Sequence, residues 1–436
     1  MFALIAAFAA TSYVMTVVLM AIATLAALSK PFSEEIAFVR NIRIILDILA
    51  SLVAEIPLHL LVVKLLKIKV ASFFGAFNYT VAWLAYFIDV ACIAGLVLLF
   101  IESMREQEVV EEAIKDLTGG EPADPVESIL SVPYIKRVFN FFWSPEDVIL
   151  HPNITYATNE ESAEAIASTN DYDQPRRMAL DIFKWSKAPA NAGLRPVVVH
   201  IHGGAWTMGD KDCFYPYQKM LIEEDNWIVV NISYRLAPKN PYPIHLIDIK
   251  RSLRWIKRTI RMFGGDPDFI VLSGDSAGGH LASMAAITAN DPQYQPGFED
   301  VDTSVKGVIS INGSLDLLND PAYADWFSTK VAMKAKVDVD LLRAHSPAEA
   351  VLKCKDNGVM VPHLLISGER DCIVDVSQSE RFKSAYDEAA GEKNSQCTLL
   401  KLPGAHHICH MSWSPRAFYL SRMVQVWCKH IYAKGK

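Results

Sequence analysis

Long uninterrupted apolar runs open the chain, and short ones of strand length fill the rest of it. Residues 2–28 and 80–101 are almost wholly apolar, each at or above the roughly 20 residues that a membrane-spanning helix requires. Residues 44–63 are apolar too, but Asp47, Glu55, Pro57 and His59 interrupt them. That stretch fits a third span, a re-entrant element or a helix lying in the interface. From residue 178 the pattern changes. Apolar runs fall at 178–185, 196–201, 227–232, 269–272, 305–311, 363–367 and 398–402, and stretches with helical periodicity fall at 243–263, 281–287, 376–389 and 416–433. Continuous rather than alternating apolar strands, separated by amphipathic helices, predict an α/β architecture with a mainly parallel sheet covered on both faces. The polar stretch 159–177 reads as a surface loop. Residues 129–143 read as a cap helix or a juxtamembrane belt, with Phe141, Phe142 and Trp143 at its end. The predicted organisation is a membrane region at 1–104 with two or three transmembrane helices, an acidic linker with that cap or juxtamembrane helix at 105–145, and a catalytic domain at 146–436.

Composition changes this picture only locally. Residues 1–28 carry no charge and residues 70–101 carry only Asp89, whereas everything after about residue 102 has ordinary soluble composition. The first run lacks a basic leader and is too long for a signal peptide, so a retained anchor is expected. Asp89, Glu55 and His59 are expected to pair with one another or to reach toward water. The net charge of −7, with no basic cluster interleaved with aromatics, offers no surface for nucleic acid. Seven cysteines without a Cys-x-x-Cys pair form neither a disulfide framework nor a zinc ribbon. His406-His407-Ile408-Cys409-His410 is too crowded for the usual spaced ligand pairs, so no metal is expected. Lys30, Arg40, Arg43, Lys64, Lys67 and Lys69 all lie between the two clear spans. If residues 44–63 do not cross, those cations share the cytoplasmic side, and the N-terminus and the catalytic domain both face away from it. A multi-pass protein with an exoplasmic catalytic domain is the expectation.

The chemistry centres on Gly274-Asp275-Ser276-Ala277-Gly278-Gly279, between a predicted strand and a predicted helix. A serine at a sharp strand-to-helix turn stands out beside a helix N-terminus, and glycines on either side permit the close approach of strand and helix. A serine needs a base to take its proton and a third group to hold the base. Gly368-Glu369-Arg370-Asp371 and Pro403-Gly404-Ala405-His406-His407 follow the last two predicted strands, so both face the same end of the sheet as Ser276. Asp371 is the expected acid, with Asp375 and then Glu369 as alternatives; the residues alone leave His406 and His407 both open as base. His202-Gly203-Gly204-Ala205-Trp206 follows an earlier strand, and the N–H groups of Gly203, Gly204 and Ala277 are the expected oxyanion donors. Trp206 is placed at the mouth, in contact with substrate.

Taken with Ser233-Tyr234-Arg235-Leu236-Ala237-Pro238 and Tyr242-Pro243, these motifs resemble the hormone-sensitive-lipase-like branch of α/β-hydrolase esterases, over about residues 178–436. The resemblance implies the α/β-hydrolase fold, a Ser-Asp-His order matching Ser276, Asp371 and His407, and no cofactor. Its Gly-Ala-x-His turn matches Gly404-Ala405-His406-His407 and favours His407. Position 205 is Ala where many members have a third Gly, and Ile408-Cys409 stands in place of the common Gly-Phe. The membrane region lies outside the resemblance, although arylacetamide-deacetylase-like members are also membrane-anchored. The expected activity is a membrane-anchored serine carboxylesterase or lipase acting on apolar, lipid-like esters delivered from the bilayer. An amidase or deacetylase, an acyltransferase and a non-catalytic ligand receptor are the alternatives.

Overall fold

Helices alone make up the first 140 residues, and one sheet with helices on both sides makes up the remainder. The computed structural model describes residues 1–29, 37–120, 131–140, 144–188, 193–354, 360–391 and 394–435, with backbone only for 37–43 and 133. Phe141, Phe142 and Trp143 lie outside the described residues. The leading helices are α1 (Phe2–Leu28), α2 (Ala37–Glu55), α3 (Pro57–Phe73), α4 (Thr80–Met104), α5 (Glu106–Thr118) and α6 (Val132–Phe139). By length and composition, α1 and the α4–α5 rod are each able to cross a membrane, while α2 and α3 meet at a bend of 87°. The bend falls where Pro57, which has no N–H to donate, opens α3.

Side-chain contacts give the direction of each helix in the bundle. Tyr79 donates to the Ala3 carbonyl at 3.2 Å, Tyr13 donates to Asp89 at 3.0 Å, and Arg370 of the sheet domain reaches both Ala27 O and Glu102. Contacts that advance together along both helices make α1 and α4 parallel. α3 runs the other way, from Glu55 beside Ser414 to the turn at Gly75, which abuts Ala6. The N-terminus therefore lies at the end of the bundle farthest from the sheet domain. The expectation that both sit on one side assumed two crossings, and that arrangement is not the one built. The charges within the apolar segments pair off: Asp89 binds Lys64 and Tyr13, and Glu55 binds Arg416 and Ser414.

α5, within the predicted acidic linker, buries Val110 and Ile114 in the same cluster as Phe418 and Tyr419. α6 packs Tyr134 on Phe418, with ring centroids 4.7 Å apart, and Phe139 lies 5.1 Å from the ring of His59. It thus sits beside the bundle, as the juxtamembrane alternative has it.

The strands are β1 (Val148–Thr155), β2 (Ala179–Trp185), β3 (Arg195–Ile201), β4 (Ile228–Ile232), β5 (Gly265–Asp275), β6 (Gly307–Ile311), β7 (His363–Gly368) and β8 (Cys397–Leu402). Their spatial order is β1-β2-β4-β3-β5-β6-β7-β8. β1 and β2 run antiparallel to their neighbours, and the other strands pair in parallel. β3, β4, β6 and β7 are buried throughout, which is why their sequences run apolar without alternation. Val197 and Val199 join one core with α7 (Ile244–Thr259) and α8 (Ala277–Ile287), while Val198 joins the opposite core with α10 (Pro415–Lys434). α9 (Ser377–Ala390) covers β7 near the edge.

The stretch 159–177 departs from the sequence reading. Residues Asn159–Thr169 are a helix whose first turn is closed by Thr158 and Glu161 bonding each other's backbone, a capping box legible as Thr-x-x-Glu. Glu161 then pairs with Arg251 and Arg254 of α7, so polarity there reflects ion pairing rather than a loop. β1 also escaped the sequence reading, since its edge position leaves its residues partly or fully exposed.

Candidate active site

β5 delivers Ser276 to the carboxyl end of the sheet. From Val271 to His280 only Ser276 is not buried. Its backbone sits at φ 52°, ψ −118°, a conformation that costs a non-glycine residue about 1–3 kcal/mol. The surroundings hold it there: Ser276 N donates to Ile311 O at 3.0 Å, and its own carbonyl accepts from the His280 and Ser314 amides. A Cβ at Gly274 would overlap the backbone of Gly278, and one at Gly278 would overlap the Ile201 carbonyl oxygen. Both glycines are therefore required by contact between the turn, the helix and β3.

β7 and β8 end beside it. Asp371, fully enclosed, accepts the Ile373 and Val374 amides on Oδ1, each at 2.9 Å, and meets His407 Nδ1 through Oδ2 at 2.6 Å. Burial works against a charged His407, but the Asp371 carboxylate outweighs it and holds the imidazole above its usual pKa. Asp375 instead receives the Ser377 amide near the start of α9, and Glu369 is exposed. His406 turns the other way, with Nδ1 on Asp47 and Nε2 on the Ala27 carbonyl, both at 3.1 Å. Of the alternatives left open by sequence, the geometry brings together Asp371 and His407. The suspected metal cluster diverges: Cys409 faces Asn312, and His410 lies 3.9 Å from Asp275.

The glycine loop after β3 needs a correction. The Gly203 amide is already donated to Asp275 Oδ1 at 3.2 Å, so it is not available to a substrate oxygen. Among the described residues the amides of Gly204, Ala205 and Ala277 have no protein acceptor. Gly204, at φ 108°, and Ala205, at φ 51°, turn the chain so that the loop is partly exposed at these two positions. Trp206 also departs from expectation: it is fully enclosed, donates its indole N–H to His280 at 3.3 Å and packs on Phe327. It braces the loop from behind rather than lining a mouth. His202 stacks on Tyr234 at 4.3 Å, bonds the Gly203 carbonyl, and is pushed by burial to a pKa of about 4, hence neutral at pH 7.

Two residues of the site were missed by the sequence reading. Asp275, besides holding Gly203, lies 3.4 Å from His200. Asn312, the first residue after β6, receives the Gly368 amide at 2.9 Å and donates to the His407 carbonyl at 2.6 Å. It thereby ties the acid loop to the histidine loop. The available signal was its place, a polar residue at a strand's carboxyl end, where open α/β sheets gather their sites.

Known proteins resemble this chain over the sheet domain. Residues 180–386 match the BD-FAE family. The chain is 34% identical over 266 residues to the esterase LipQ of Mycobacterium tuberculosis, covering 59% of this chain and 61% of that one. Bovine arylacetamide deacetylase is 36% identical over 118 residues, 26% of this chain and 27% of that one. The match thus spans about three fifths of LipQ and about a quarter of the deacetylase. Among solved structures, a tributyrin-phosphonate-inhibited esterase B from Lactobacillus rhamnosis superimposes with a TM-score of 0.53 at 21% identity, covering 74% of this chain and 97% of that one. With the sheet order above, that likeness gives the domain the α/β-hydrolase fold.

Proposed function

We propose that the chain is a membrane-anchored serine carboxylic ester hydrolase. The observation that carries the reading is the 2.6 Å contact of His407 with Asp371 at the same sheet end as the strained Ser276 turn. Ser276 Oγ attacks an ester carbonyl carbon while His407 takes its proton, and Asp371 holds the resulting imidazolium. The oxyanion faces the amides of Gly204, Ala205 and Ala277. The alcohol leaves with the proton from His407, and water then releases the acid by the same route. The names of LipQ and of the other similar esterases support this reaction class.

The bundle supports the location and the substrate class. α1, α3 and α4 cross the bilayer, α2 lies on the catalytic side, and lipid-like esters enter from the apolar phase. Lys30, Arg40 and Arg43 fall on the catalytic side, whereas the far turn 74–79 carries no Lys or Arg and only Lys69 lies near it. The positive-inside rule then puts the catalytic domain in the cytoplasm, replacing the exoplasmic expectation whose two-crossing premise the helix directions remove. The test of function is hydrolysis of p-nitrophenyl acyl esters by the full chain in detergent. Activity is expected, with loss of about three orders of magnitude or more in Ser276→Ala; full turnover in that variant defeats the assignment. Protease added to sealed right-side-out vesicles should leave residues 110–436 intact, and their digestion would refute the cytoplasmic placement.

A further inference from the structure

The residues on either side of the Asp371–His407 pair are held by the helical bundle. Arg370, just before the acid, makes a two-pronged ion pair with Glu102 of α4, at 2.7 and 2.9 Å, and donates to Ala27 O of α1 at 3.2 Å. Cys372, just after the acid, donates to Asp47 Oδ1 of α2 at 2.9 Å. His406, just before the base, meets the same oxygen at 3.1 Å. Asp47 and His406 are both fully enclosed. Three helices of the bundle therefore grip the two loops at positions adjacent to Asp371 and His407, and one carboxylate oxygen joins the two loops to each other.

We propose that Asp47 is a positioning residue for the hydrolysis argued above: it ties the acid loop to the histidine loop from within the bundle, with the Glu102–Arg370 pair as a second tie. The inference rests on that hydrolase reading. A carboxylate enclosed at an otherwise apolar helix interface is costly, and an apolar side chain of similar size holds such an interface at least as well. What an apolar residue cannot do is accept hydrogen bonds from both loops at one point. Neighbouring residues in an extended loop point in opposite directions, so anchoring 372 and 406 on the bundle turns 371 and 407 toward Ser276. A shift of about 1 Å in such a pair costs up to about a hundredfold in rate. Asp47 also acts through charge. With Asp371 and Asp275, it favours the protonated form of His407 against the burial that disfavours it.

The experiment compares wild type, Asp47→Asn and Asp47→Glu as full chains in nanodiscs. It measures kcat and KM on p-nitrophenyl butyrate across pH, the rate of fluorophosphonate labelling at Ser276, and melting temperature. Asp47→Asn should lower kcat and the labelling rate by about tenfold or more with KM within about twofold, and Asp47→Glu should recover part of the loss. The acidic limb of kcat/KM should move to lower pH, because removing a negative charge near His407 lowers its pKa; a purely structural role leaves that limb in place. If Asp47→Asn does not fold, Glu102→Gln, at a partly exposed site, carries the same kinetic comparison and should likewise lose kcat. A folded Asp47→Asn with kcat and acidic limb equal to wild type overturns the proposal. So does an unimpaired Glu102→Gln where that variant decides. Wild type that resists labelling at Ser276 instead sinks the hydrolase reading itself, so the two failures are distinguishable.

Discussion

Replacing Asp371 by Asn tests the proposed mechanism at its narrowest point. The two side chains have the same shape, so packing is preserved and the change is confined to hydrogen bonding. Asp371 uses both oxygens: Oδ1 accepts two backbone amides at 2.9 Å, and Oδ2 accepts His407 at 2.6 Å. An asparagine that keeps its oxygen toward the two amides must present NH2 to His407. The imidazole then offers a lone pair on Nδ1 and carries its proton on Nε2, where it cannot accept the proton of Ser276. Flipping the amide restores the useful tautomer but sets NH2 against two N–H donors, and each buried bond lost costs about 1–3 kcal/mol. The first orientation therefore wins, and kcat should fall about ten-thousandfold, or about 5 kcal/mol of barrier. The residual activity should also have its acidic limb at lower pH, because burial of His407 is then unopposed by the Asp371 charge. Hydrolysis of p-nitrophenyl butyrate, followed beside a melting curve that stays within about 3 °C of wild type, is the assay. A loss of less than tenfold in folded protein would show that Asp371 does not orient His407.

Two further substitutions probe the scaffold. Gly278→Ala should destabilise the domain by about 1–3 kcal/mol and abolish esterase turnover, because the new Cβ overlaps the Ile201 carbonyl and separates the turn from β3; chemical denaturation and activity together read it. Arg416→Met removes a fully enclosed guanidinium that holds Glu55 of α2 and Glu106 of α5, and should cost about 3–5 kcal/mol by leaving both carboxylates unpaired, read as a lowered melting temperature of the full chain.

The sheet was legible because its strands are buried on both faces. Continuous apolar runs such as Val197–Val199 have few alternatives once glycine turns and amphipathic helices flank them. Ser276 was legible for a local reason: the backbone of Gly274-x-Ser276-x-Gly278 demands those residues wherever it occurs. The choice of His407 over His406 was not legible from the residues themselves. Two adjacent histidines differ only in which way each points, and His406 is turned by Asp47, more than 350 positions away in sequence. The same applies to Gly203, whose amide is claimed by Asp275, and to Trp206, whose burial depends on Phe327 and His280. Motif reading gives residue types in order; it gives neither the hydrogen-bond partners nor the direction of a helix such as α3, on which sidedness turns.

The ion pairs joining bundle and sheet domain bear on how the catalytic half can be produced alone. Arg370 and Arg416 meet their carboxylate partners on α2, α4 and α5, so a shortened gene beginning after the apolar segments encodes a domain with unmatched cations on the surface it normally covers. A soluble version calls for retaining α5, which keeps Glu106 with Arg416, and for recoding position 370 and the neighbouring apolar contacts as ordinary surface. The boundary that hydropathy suggests and the boundary at which the protein can be cut are different places.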